Sequence, residues 1–100
     1  MNILLAMDSD DVEEAKLCKL NDVQKWAMIV VEEGQVVEIL FEDKREDFTI
    51  PGETVVVIDD NEYVWPFIEE QMQVLVGHTQ RYIDDIVEAY LFKELHELAY

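Results

Sequence analysis

Two short apolar runs constrain this chain more than anything else in it: Ile3–Met7 (ILLAM) and Thr54–Ile58 (TVVVI). Each is too short for a useful helix, and each has apolar side chains at both odd and even positions. An extended strand sends alternate side chains to opposite faces, so such runs must be covered on both sides. They read as strands from the middle of a sheet with a layer on each face. Between them, Lys25–Glu32 (KWAMIVVE) and Gln35–Glu42 (QVVEILFE) are rich in aromatic and β-branched residues and are separated only by Glu33-Gly34. That is a hairpin pattern.

After Ile58 the period changes. Val64, Phe67, Ile68 and Met72 fall on one helical face, with Asp60 or Asn61 as cap and Pro66 in the first turns. Gln73–Val76 is a short strand ended by Gly77. Thr79 then reads as an N-cap, and Ile83, Ile86, Val87, Tyr90, Leu91, Leu95 and Leu98 form a stripe of about five helical turns. On that reading His96 lies late in the last helix, where a cation suits the dipole. Asp8 to Asp22 is either an irregular short helix, with Val12, Ala15, Cys18 and Leu20 marking it, or a loop. The predicted order is β-loop-β-β-β-α-β-α. The hairpin is antiparallel, and Thr54–Val76 is a parallel β-α-β unit with a right-handed crossover. The class is α/β with a mixed sheet, as one domain over residues 1–100, without repeat or linker.

Charge narrows the functions. The chain carries a formal charge of −17, from 24 acidic and 7 basic side chains. Such a surface repels phosphate backbones and anionic membranes, so neither nucleic acid nor membrane is expected as a partner. It leaves cations, neutral ligands, a basic protein or a second copy of the chain. The single cysteine, Cys18, rules out an internal disulfide framework and multi-cysteine metal motifs. The start has no basic n-region, and no apolar run approaches membrane-spanning length, so the expectation is a soluble cytoplasmic protein.

Several segments carry a family resemblance. KWAMIVVEEGQVVE (Lys25–Glu38), TVVVIDDNEY and VLVGHTQRYIDDIVEAYLFKEL resemble the dinitrogenase iron–molybdenum cofactor biosynthesis family, the NifX-like and NifB C-terminal domains. The resemblance spans nearly the whole chain. It implies a ribonuclease H-like fold, no enzymatic activity, and a role as carrier or accessory for an iron–sulfur or iron–molybdenum-type cluster. The chain departs from the family at its binding motifs. Where the family often has S-P-H-F-G-R before the second strand, this chain places Lys19 at the His position and Asn21 at the Gly position. Asn tolerates the left-handed backbone, so the turn can survive while the imidazole is lost. The family's Gly-rich turn, often G-G-I-G, is here Asp59–Glu62 (DDNE). Carboxylates there repel an anionic cluster, so cluster binding is expected to be weakened or lost.

Candidate sites follow from this reading. Asp8 and Asp10, with Asp11, follow the first apolar run; Asp59 and Asp60, with Glu62, follow the fourth strand. If those strands are neighbours, both groups meet at one sheet edge. There they either hold a hard cation such as Mg²⁺ or Ca²⁺ or simply cap and end elements. Two-metal nuclease chemistry also uses clustered carboxylates, but it needs a basic groove that this chain lacks. Cys18 has Lys16 and Lys19 close in sequence, which can lower a thiol pKa; alternatively it is a small core residue. A soft-metal site requires Met7, Cys18 and His78 to converge. His78 is either a ligand at that pocket or the junction between a strand and a helix. Trp65 and Phe92 fall off the apolar stripes, so they are either exposed interface residues or partly covered by a loop.

Overall fold

A computed structural model of the chain describes residues 1–98. Its core is one mixed sheet of six strands: β1 (Asn2–Met7), β2 (Lys25–Glu32), β3 (Gln35–Glu42), β4 (Thr54–Val57), β5 (Gln73–Val76) and β6 (His96–Glu97). The spatial order is β3-β2-β1-β4-β5-β6. Strands β1, β4 and β5 run parallel, in register Leu4↔Val55 and Val55↔Val74, while β2, β3 and β6 are antiparallel to their neighbours.

The two apolar runs occupy the centre, and their alternation divides the interior. Ile3, Leu5, Met7 and Val56 face one core, which helix α2 (Ile83–Leu91) covers with Ile83, Ile86 and Val87. Leu4, Val55 and Val57 face the other, covered by the short helix α1 (Trp65–Glu69) through Phe67 and by Val64 and Met72 beside it. The β2–β3 turn puts Glu33 at φ 53° and Gly34 at φ 76°. Both central residues of a type I′ turn need positive φ, and that turn matches the twist of the hairpin. A bulge lies between Val30 and Val31, opposite Glu38 and Val36. Strand β3 is an edge of the sheet and carries Glu38 and Glu42.

The final helix is shorter than its stripe predicts. Nine residues rise about 13 Å, which is also roughly the length of the four-residue strands beneath them. A five-turn helix would overhang the sheet. Instead the chain reverses through Lys93, at φ 59°, and His96–Glu97 pairs with β5 in register Val76↔His96. The N–H of Leu98 donates to Val74 O at 3.0 Å, so the open edge of β5 gains a partner. Leu95 and Leu98, expected on one helical stripe, pack against different cores. His96 therefore lies in a strand, not at a helix C-terminus.

Both expected caps also move. The cap of α2 is Tyr82, without a side-chain bond, because Lys16 and Tyr82 form a β-bridge and Leu17 N–H donates to Arg81 O at 2.7 Å. Thr79 lies upstream in a loop clamped by Arg81, whose guanidinium donates to the carbonyls of Gly77, His78 and Gln80 at 2.8–3.0 Å. Helix α1 is capped by Val64, and the Asp59 carboxylate instead accepts from Asn61 N–H within its own turn. The 8–22 segment is a loop. Ala15 and Leu17 are buried, Val12 is exposed, and Leu20–Asp22 forms one 3₁₀ turn.

Candidate functional site

Parallel strands send the loops at their carboxyl ends to one edge, where open α/β sheets form clefts. Here β1, β4 and β5 end at Met7, Val57 and Val76, and the loops 8–24, 58–64 and 77–82 meet at that edge. The middle loop ties the other two together. Its Glu62 accepts from Leu20 N–H at 3.1 Å, and its Asp60 Oδ1 lies 2.7 Å from His78 Nε2. A cleft of about 390 Å³ opens beside it, lined by Leu20, Asn21, Trp26, Glu62, Tyr63 and Phe67 among others. Its floor is aromatic: the Trp26 and Phe67 rings lie 6.4 Å apart, and the Arg45 guanidinium stands 4.6 Å over Phe67 while pairing with Glu70. A hollow of about 520 Å³ lies elsewhere, at the start of β5, between Leu75, Tyr90 and Leu95.

The sequence-nominated residues do not gather in one place. Asn21 lines the cleft, and Lys19 is near enough to Glu62 to favour its ionised form, although burial raises the Glu62 pKa on balance. Asn21 belongs to the 3₁₀ turn and has no positive φ, so the left-handed turn expected there is not formed. Cys18 is half-buried, with its Sγ 3.5 Å from Ala6 O. Burial, followed by the charges of Asp8, Asp22 and Glu62, pushes its thiol up to about 11. The shift runs against the lysine-activated alternative and goes with a partly buried thiol. Lys16 turns instead to the Tyr82 ring, 5.7 Å from its centroid.

Asp8 and Asp10 stay with their own loop. Asp8 Oδ1 accepts from Lys16 N–H at 2.8 Å, and Asp10 contributes to the field at Lys25. Asp59 is committed to its turn, and Asp60 to His78. Among the described residues no group of three His, Cys, Asp or Glu side chains is arranged to hold a metal ion. Met7 is fully buried in the first core, whereas His78 is about half exposed, so the two do not face a common space.

His78 does have a neighbour that the sequence did not suggest. The ring of His96 lies 5.9 Å from it, centroid to centroid, tilted by 40°. Both histidines of the chain thus stand together at the loop edge. Only the β5–β6 pairing brings them there, and no local pattern in the sequence announces it. Tyr63, Trp65 and Phe92 are exposed, Trp65 by 55% and Phe92 by 71%.

No protein-family model matches the chain, and no curated protein does. Solved structures do match. PH0822 superposes with a TM-score of 0.75 at 13% identity, over 97% of this chain and 96% of its own. The crystal structure of a "putative dinitrogenase" from Methanocaldococcus jannaschii gives 0.72 at 10% identity, over 99% and 95% of the two chains. An NMR structure of a "putative dinitrogenase" from Methanococcus jannaschii gives 0.74 at 11%, over 100% and 94%. The chain shares their fold. At such identities the likeness reaches no further than that mixed α/β architecture, from one end of the chain to the other. No helix among the described residues is long and apolar enough to cross a membrane.

Proposed function

We propose that the chain is a NifX-like accessory domain of ribonuclease H-like fold, non-catalytic and cytoplasmic, that has lost the family's anionic metal cluster. Two things support the kinship: the resembling segments Lys25–Glu38 and Val74–Leu95, and a fold shared with a protein named a "putative dinitrogenase". The observation that carries the loss is Cys18. Its thiol, raised to about 11 by burial and then by the charges of Asp8, Asp22 and Glu62, keeps its proton at neutral pH. A cysteine ligates a cluster as its thiolate, and an anionic cluster is repelled by that field. With Lys19 in place of an imidazole, the edge does not fit an iron–sulfur or iron–molybdenum-type cluster.

The test is to express the chain under reducing conditions with iron and molybdenum supplied, then measure bound metal and the visible spectrum. A colourless protein with no more iron or molybdenum than a control is expected. A stoichiometric chromophore that disappears in Cys18→Ala would overturn the reading.

A second reading treats the domain as an acidic interaction module for a basic protein or a second copy. Tyr63 and Trp65, exposed beside Glu62, favour it. Sedimentation at low and high salt separates the two partners. Copies carrying −17 each repel, so self-association strengthens with salt, whereas a basic partner binds less well.

A further inference from the structure

The two histidines form a geometry that neither the accessory role nor the fold requires. The structure assigns to His78 and His96 a two-imidazole site for a borderline divalent transition-metal ion, with Asp60 as the residue that orients His78. It is independent of the cluster question, since it shares no residue with Cys18 or the aromatic cleft.

Imidazoles on one ion bind at metal–nitrogen distances of about 2.0–2.1 Å, which puts their ring centres roughly 5–6 Å apart. The observed separation is 5.9 Å. The Asp60 carboxylate, 2.7 Å from His78 Nε2, favours the tautomer that carries its proton on Nε2 and leaves the Nδ1 lone pair free. A carboxylate behind the imidazole fixes the ring's orientation, the arrangement that recurs behind metal-bound histidines. Both histidines are exposed, so an ion can reach them, and the surrounding negative charge concentrates cations at the surface. Because no third His, Cys, Asp or Glu closes the site among the described residues, the ion keeps open positions for water. Imidazole donors suit Cu²⁺, Ni²⁺ and Zn²⁺, while scattered carboxylates suit Mg²⁺ and Ca²⁺. The ion is therefore expected to be selected by the pair rather than by the acidic surface.

The test uses the full chain at pH 7.5, titrated with Cu²⁺ and Zn²⁺ in millimolar Mg²⁺. One ion per chain is expected, with nitrogen hyperfine structure in the Cu²⁺ electron paramagnetic resonance spectrum. His78→Ala and His96→Ala should each weaken binding at least 10-fold. Asp60→Asn should weaken it about 10-fold or more, as loss of an orienting partner does. The three side chains are exposed, so the variants should keep the parent's circular dichroism. In the unmutated chain, sub-stoichiometric Cu²⁺ should broaden the His78 and His96 ring resonances before any other. Binding that is absent, that Mg²⁺ displaces, or that survives both histidine substitutions would overturn the assignment.

Discussion

Alkylation of Cys18 across pH tests the electrostatics of the loop edge directly, because the thiolate is the reacting species. The thiol starts from an ordinary value of 9.0 and is lifted to about 11, first by burial and then by Asp8, Asp22 and Glu62. Two pH units mean about 100-fold less thiolate at any pH below the ordinary value. Iodoacetamide should therefore react about 100-fold more slowly with the folded chain at pH 7.5 than with the same chain in urea. Poor access could also slow the reaction, so the inflection of the pH–rate curve is the decisive quantity. It should fall near 11 in the folded protein and near the ordinary thiol value in urea. Asp22→Asn removes one of the raising charges and should move the folded inflection down. The same proton affects stability. The folded state holds it more tightly than the unfolded chain, so this contribution is complete below the unfolded pKa. It is lost as pH rises through the folded value. Discounted for the thiol's partial exposure, the loss is about 1–2 kcal/mol between pH 9 and 11, and it should be missing in Cys18→Ala. A folded inflection at or below 9.0 would refute the argument and restore control to the neighbouring lysines.

Glu33→Asn should stabilise the hairpin by about 0.5–1 kcal/mol, read as a higher urea midpoint, since Asn-Gly suits two consecutive positive-φ positions far better than Glu-Gly. Phe67→Ala removes the ring between Trp26 and Arg45 in the second core and should cost about 3–5 kcal/mol, with a red shift of tryptophan emission. Trp26 emission unchanged in a folded Phe67→Ala would show that the cleft floor is not packed as described.

The central strands and the hairpin could be read from sequence because their information is local. Ile3–Met7 has apolar residues at every position, and only burial on both faces accommodates that. Glu33-Gly34 lies between two β-prone runs and closes them. The end of the chain reads as helix because Leu91, Leu95 and Leu98 keep a helical spacing. What decides there is the length of the sheet under α2 and the unpaired edge of β5, and neither is visible in a window of residues. Thr79 has good capping chemistry, but Arg81 and the Lys16–Tyr82 bridge hold the loop in another conformation. The same division runs through the site. Asp60 and His78 stand out as residue types at strand ends, yet their contact, and the arrival of His96, depend on pairings between distant segments. Cys18 is the sharpest case. Its neighbours in sequence are lysines, while the groups that set its proton include Glu62, far along the chain.

Strand β1 joins the two halves of the sheet, with β2 on one side and β4 on the other. That position carries a cost in time. During synthesis β1 is made before the rest of this sheet, and its antiparallel partner β2 follows within about thirty residues of Asn2. Its parallel partner begins only at Thr54. Until then ILLAM has one side unpaired and both faces bare, the condition in which a nascent strand sticks to other chains. The acidic stretch that follows it, Asp8 to Glu14, is already made by then and gives the waiting strand a charged flank. The carboxylates that are poor material for a metal site are well placed as guardians of an unfinished sheet.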